Sequence, residues 1–188
     1  MAAWHDKITL LFRNPELRKK VLIVLGLFLA FRITANVPIP GIGAENLKRF
    51  FAENQVFGLL NIFSGGALSN FSIVLLGLGP YITSTIILQL LTMIFPALER
   101  MYKEEGEAGK QKFNQYGRLL TIPLAIFEGY GMLTLFQRQG VIGELTPMVL
   151  ISSIITITAG AMFLMWIGEL ITEQNMGNGI SLLIFAGI

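Results

Sequence analysis

FSGGALSNFSIVLLGLGPYITSTIILQLL, residues Phe63–Leu91, decides how the rest of the chain is read. It is apolar enough for lipid, yet it opens with Ser64-Gly65-Gly66 and carries Gly77-Leu78-Gly79-Pro80 in its middle. Glycine and proline weaken helices, and a backbone group left unpaired in hydrocarbon finds no water to bond with. Irregular chain at membrane depth is therefore buried in protein or lines an aqueous cavity. Two readings follow. In one, Val56–Phe63 lies at the outer interface and a single ordinary helix crosses from Phe71 to Phe95. In the other, a half-helix enters and turns, and a full helix follows it.

The surrounding composition sets the class. The chain has 188 residues, 53% hydrophobic and 14% charged, with a mean hydropathy of +0.65. A soluble domain of this size needs more charge to cover its surface. Long apolar runs separated by charged loops indicate an all-α polytopic membrane protein. A net charge of +2 is too small for nucleic-acid binding, and the basic residues cluster beside membrane segments. No cysteine is present, which excludes disulfide and thiolate chemistry. Residues 1–20 are mixed in charge and further apolar spans follow, so a cleavable signal peptide is not expected.

Along the chain, residues 1–20 form a charged N-terminal region with a short amphipathic helix from Lys7 to Phe12, interrupted at Pro15. Spans are expected at about 21–37, 72–94, 118–136 and 149–168, with a fifth opening at 180–188. A polar helical patch lies at Ala44–Glu53, and a solvated charged loop at about 97–117. The apolar stretch Val56–Phe95 exceeds the roughly 20 residues of one crossing. Lys and Arg number five in the N-terminal region and five in the loop after the second span, against two and one in the intervening loops. That asymmetry places the N-terminus and the 98–118 loop in the cytoplasm.

Several polar positions stand out. Leu78, Ile82 and Gln89 share roughly one helical face, with Thr85 beside them. Aliphatic groups grading into polar ones suit the lining of a gated passage. The same pattern suits a packing face, with Thr83, Ser84 and Thr85 bonding back to the backbone and Pro80 bending the helix. Arg32 and Glu128 are the charges well inside spans, each about 16 Å deep. Equal depth permits a buried pair; otherwise Arg32 extends outward past Thr34 and Asn36 while Glu128 faces a gate or an aqueous cavity. Ser152, Thr156 and Gly160 recur at intervals of four, a small-residue face for close helix packing. Gly177-Asn178-Gly179 reads as a turn and helix start. His5 is the single histidine, and no span carries paired aspartates or metal-ligand spacing, so neither catalysis nor a cofactor is expected.

Taken whole, the segment Phe63–Leu91 resembles the first signature region of the SecY family, central subunits of the protein-conducting channel. RKKVLIVLGLFLAFRITANVPIPG (18–41) is similar to the family's first helix, and YKEEGEAGKQKFNQYGR (102–118) to its first large cytoplasmic loop. FLMWIGELITEQNMGNGISLLIFAGI (163–188) resembles the junction of its fourth and fifth helices. Two departures stand out: Gln174-Asn175 follow Ile-Thr-Glu where a basic residue is common, and Gly79 stands where a larger apolar residue is frequent.

The resemblance implies the N-terminal five-helix half of an inverted-repeat clamshell, with a re-entrant plug half-helix at about 60–70 and a fifth helix cut short at Ile188. It implies a plug of Phe63, Ser64, Gly65, Gly66, Ala67, Leu68, Ser69 and Asn70, short and weakly packed so that it can leave the pore. It places Leu78, Ile82 and Ile184 on a hydrophobic pore ring, and Thr85, Gln89 and Glu128 on a lateral gate built from the second and third spans. A ring of aliphatic groups seals by dewetting and offers a passing polypeptide no hydrogen bond to hold it.

The implied activity is passage of unfolded secretory polypeptides across a bacterial inner membrane, with lateral release of apolar helices into lipid. The implied partners are SecE and SecG, a SecA motor or the ribosome, signal peptides and nascent polypeptides, membrane lipid, and the second half of the channel. The family's main cytoplasmic docking loops belong to that second half. Two other readings predict different behaviour. A solute or ion transporter with discontinuous helices would show a compact polar site at the midplane, fed by Arg32 and Glu128. A non-conducting fragment or assembly scaffold would conduct nothing alone.

Overall fold

The structure, a computed structural model, describes residues 14–40, 42 and 66–187. The expected helices at Lys7–Phe12 and Ala44–Glu53 lie outside these residues, as do Phe63, Ser64, Gly65 and Ile188. Among the described residues there are six helices and no strand: α1 (Pro15–Thr34), α2 (Gly79–Thr92), α3 (Pro96–Lys103), α4 (Gly106–Arg138), α5 (Pro147–Glu173) and α6 (Gly179–Gly187).

Each start has a local cause. Asn14 caps α1, its Oδ1 accepting from the Glu16 amide at 3.1 Å, with Pro15 in the first turn. Thr146 caps α5 by accepting from Val149, with Pro147 in the first turn. Asn178 caps α6 through bonds from the Ile180 and Ser181 amides at 3.0 and 3.2 Å. α2 has no side-chain cap; Pro80 stands in its first turn, where its fixed φ suits a helix start and its missing N–H leaves no helical bond unmade.

α4 (33 residues) and α5 (27 residues) are each long and apolar enough to cross a membrane. α2 and α3 meet that test as a pair bent by 110°. α1 overlaps the expected first span over residues 21–34, but Arg18, Lys19, Lys20 and Arg32 make it too charged for the same count. The loop expected at 97–117 is largely helical, formed by α3 and the first turns of α4. Its mixed charges pair along the helices, Lys103 with Glu99 at 2.8 Å and Lys110 with Glu107 at 3.5 Å, and such pairs support exposed helix.

The stripe that holds the bundle runs down α4: Gly109, Phe113, Gly117, Thr121, Ala125, Gly129 and Leu133, four apart and all buried. Mostly small residues at this spacing let helices approach closely. α2 answers with Pro80, Ser84 and Leu88, also four apart and buried. Ser84 Oγ and Thr121 Oγ1 stand 3.0 Å apart, with neither hydroxyl exposed to lipid. Of the small-residue face expected on α5 at Ser152, Thr156 and Gly160, only Gly160 is buried; Ser152 is exposed and Thr156 half-buried. Ser153, Ile157, Gly160, Ala161 and Leu164 face inward, while Ser152 and Thr156 bond back to Val149 and Ser152 carbonyls.

Candidate functional site

The stretch between Gly66 and Leu78 is not helical at all; it runs as consecutive turns, and helix begins only at Gly79. The helix expected from about Ser72 to Ile94 is thus seven residues shorter at its start. The backbone explains why. Gly66 and Gly77 take φ of 84° and 57°, and Phe71 takes 46°, values that interrupt any right-handed helix.

This irregular chain is enclosed in protein, as a membrane environment demands. Its side chains alternate between two apolar clusters. Leu68, Phe71 and Leu75 join Ile39, Leu133, Phe136, Val141, Ile142 and Ile157. Ala67, Val74 and Leu78 join Val24, Phe31, Ala35, Leu164, Ile167, Ile171 and Leu183. The main chain is tied to the segment after α1: the Ile39 amide donates to the Phe71 carbonyl at 2.9 Å, and the Ile73 amide to the Val37 carbonyl at 2.9 Å. On its other side the Ile73 carbonyl presses on Gly160 of α5, in the space a Cβ would fill. Only glycine permits that approach.

The described part of the expected plug is therefore well packed. Ala67 and Leu68 are 1% and 5% exposed. Gly66 turns the chain, with its carbonyl accepting from Ser69 Oγ at 3.0 Å and from the Asn70 amide at 3.2 Å. Asn70 Nδ2 donates to Asn36 Oδ1 at 3.1 Å. The expectation of loose packing fails here because Leu68 is buried in the first cluster and Ala67 in the second.

The three aliphatic positions differ in setting. Leu78 is buried in the second cluster, immediately before α2. Ile82, one turn on, is exposed, on the face of α2 turned away from α4. Ile184 of α6 is half-buried at the edge of the cluster that holds Leu78. Of the polar positions, Thr85 is half-buried with its hydroxyl bonded to the Tyr81 carbonyl at 2.9 Å, and Gln89 is exposed. Glu128 of α4 reaches the first turn of α2. One carboxylate oxygen lies 3.5 Å from where a Cβ on Gly79 would stand. A carboxylate there faces the positive end of the helix dipole. Gly79, read from sequence as a departure, adjoins this carboxylate, and a Cβ there would meet it at ordinary van der Waals distance.

Sequence reasoning missed a second polar feature. Arg118 Nε donates to Glu169 Oε1 at 2.7 Å, joining α4 to α5 across 51 positions. The pair stands in a polar cleft of about 540 Å³ lined also by Tyr81, Gln115, Thr172 and Asn178. Nothing local in the sequence signals this pairing, since each residue sits at the boundary of an apolar run and reads as ordinary loop charge. Close by, the Thr172 hydroxyl donates to the Gly168 carbonyl and accepts from the Gly179 amide, each at 2.9 Å. That relay fastens α6 to the end of α5. Among the described residues no cluster of side chains has the make-up of a metal site.

A family model, SecY, matches residues 72–188. Protein translocase subunit SecY of Streptomyces galbus is 45% identical over 191 residues, covering 94% of this chain and 44% of the relative. Its counterpart in Escherichia coli K12 is 43% identical over 179 residues, covering 92% of this chain and 40% of the relative. Among solved structures, Sec61 in the canine ribosome-channel complex from the endoplasmic reticulum has a TM-score of 0.62 at 23% identity, covering 89% of this chain and 35% of that one. A structure described as that of a protein conducting channel has a TM-score of 0.61 at 23% identity, with the same coverage. At that identity the two structures speak to the fold alone. The chain spans less than half the length of these two translocase relatives. With a helical bundle of matching fold and sequence identity above 40% across nearly its whole length, the chain belongs to the SecY family.

Proposed function

We propose that this chain forms the N-terminal half of a channel through which unfolded polypeptides cross a membrane and apolar segments leave sideways into lipid. The observation that carries this reading is the placement of Leu78 and Ile82. A broken, protein-enclosed segment delivers Leu78 to the start of α2, and the helix then turns Ile82 to the face away from α4. Two aliphatic groups one turn apart, with Ile184 nearby on α6, suit a constriction that excludes water yet binds no polar substrate.

On this reading Phe63–Asn70 is the plug, and Leu78, Ile82 and Ile184 contribute to the pore ring. Thr85, Gln89 and Glu128 line the lateral gate, with Glu128 holding the start of α2 against α4. The ring and gate are completed by a second half. SecE and SecG flank the channel in a bacterial inner membrane, and the N-terminus faces the cytoplasm, where a SecA motor or a ribosome delivers signal peptides and nascent chains. The ten Lys and Arg residues flanking the first and third spans, against three in the intervening loops, support that orientation. The reading is one of transport, with no catalytic role.

The test is a crosslink. In a translocation-competent channel containing this chain, Ile82→Cys is expected to crosslink to a secretory polypeptide stalled in transit, and Ile151→Cys, on the exposed side of α5, is not. Failure of Ile82→Cys to reach the stalled chain, with transport intact, would refute the pore assignment. Solute uptake without any polypeptide contact would favour a transporter.

A further inference from the structure

Glu128 stands well inside α4, ten residues from Arg118 on one side and ten from Arg138 on the other. At 1.5 Å per residue, each arginine is about 15 Å away along the axis. Arg118 is also already paired with Glu169. No ion pair among the described residues includes Glu128, and the pairing that equal depth permits with Arg32 is not made. A charge at membrane depth is costly to hold, and such groups face a bundle interior or an aqueous passage.

The side chain lies at the edge of a surface that α2 leaves open. Gly79, which one Glu128 oxygen approaches, shares a face of α2 with Ile82, Thr83 and Ile86, three, four and seven positions on. Ile82 and Ile86 are exposed, while Thr83 and Glu128 are half-buried. A carboxylate without a cation thus borders an aliphatic face that is uncovered among the described residues. An apolar segment lying along that face has a negative charge beside it, deep within the membrane.

We propose that Glu128 makes the lateral gate selective by charge. Its carboxylate takes the ammonium or guanidinium of a Lys or Arg carried at matching depth by an apolar segment, and so holds that segment in the channel against release into lipid. This rests on the gate reading of Thr85, Gln89 and Glu128 and deepens it. In lipid the same cation has no partner, so the contact stabilises only the channel-bound segment. An Asp or Glu at that depth is repelled, and an uncharged segment is unaffected. Selectivity is the difference between these cases. The aliphatic positions Leu78, Ile82 and Ile184 have no charge with which to draw that distinction.

The test compares release of apolar segments into lipid from a translocation-competent channel containing this chain. Each secretory polypeptide carries an apolar segment of about 20 residues, with one Lys, Asp or Gln moved along it. The fraction released is read by protease protection, and the Gln segment normalises each channel for assembly. In Glu128→Gln the ratio of Lys-segment to Asp-segment release is expected to rise several-fold, most at the position matching Glu128 in depth and little at either end. Thr85→Cys, in a chain without cysteine of its own, is expected to crosslink to a cysteine in the halted segment. If that crosslink forms but Glu128→Gln leaves the ratio unchanged, or shifts it equally at every position, the charge assignment is wrong and the gate reading stands. If segments reach lipid without crosslinking to Thr85→Cys, the gate reading falls and the assignment with it.

Discussion

The Ile73 carbonyl occupies the place where a side chain on Gly160 would begin. This contact seats the non-helical stretch directly on α5, and Val74, the next residue, is fully buried. Gly160→Ala must therefore displace backbone, which has no rotamer with which to yield. Overpacking of this kind costs about 1–3 kcal/mol, and thermal unfolding of the purified channel complex is expected to shift down accordingly. Gly131, with open space where its Cβ would stand, is the control, and Gly131→Ala is expected to be neutral. An unchanged melting temperature for Gly160→Ala would mean that the close approach does not exist in the membrane.

Ser84 and Thr121 share a contact of 3.0 Å between α2 and α4. Each hydroxyl also has a carbonyl on its own helix within reach, Tyr81 for Ser84 and Gly117 for Thr121, both at 2.8 Å. The interhelical bond is thus one of two options for each group. A double-mutant cycle with Ser84→Ala and Thr121→Val is expected to give a coupling of about 0.6 kcal/mol, the size typical of such bonds in membranes. A coupling near zero would assign both hydroxyls to their own helices.

Arg118 and Glu169 are unequally buried, their side chains 46% and 16% exposed. Removing Glu169 leaves a guanidinium that water still reaches. Removing Arg118 leaves a carboxylate that is mostly enclosed, and an unpaired buried charge is the costlier outcome. Arg118→Ala is expected to destabilise by about 1–3 kcal/mol and Glu169→Ala by less, with the double variant recovering part of the Arg118→Ala loss. Equal effects of the two single changes would contradict this asymmetry.

Glu99 and Lys103 form an exposed pair one turn apart on α3. The hydrogen bond and charge of Lys103 hold the Glu99 carboxyl below its ordinary value, and Glu99 raises Lys103 in return. A depressed carboxylate contributes support that is present above the ordinary value, about 4.3, and is lost as pH falls through the lower folded value. The raised amine contributes below its ordinary value, about 10.4, and is lost as pH rises through the higher folded one. The pair thus stays intact across the neutral range. Carboxyl chemical shifts of Glu99 are expected to titrate below the ordinary range and to return to it in Lys103→Met.

Much of this arrangement is legible in the residues themselves. Long apolar runs bounded by Asn14-Pro15, Thr146-Pro147 and Asn178-Gly179 mark α1, α5 and α6, because capping and the fixed φ of proline act between near neighbours. Gly77-Leu78-Gly79-Pro80 marks a break, since a helix starts readily at proline and continues poorly through the residues before it. The family, too, is legible in the long motifs.

What sequence alone left open is how the break is housed. Residues 66–78 carry an apolar pattern that a plain helix would bury equally well. They stay non-helical because tertiary partners offer more: two apolar clusters on opposite sides, paired backbone from 37–39, and the gap on α5 at Gly160. None of these partners lies within a helical turn of the segment, so no local pattern announces them. The same holds for Arg118 with Glu169 and for Phe71 with Phe136. Local chemistry determined where helices begin and end; only packing between distant residues decided that the chain between them could remain irregular at membrane depth.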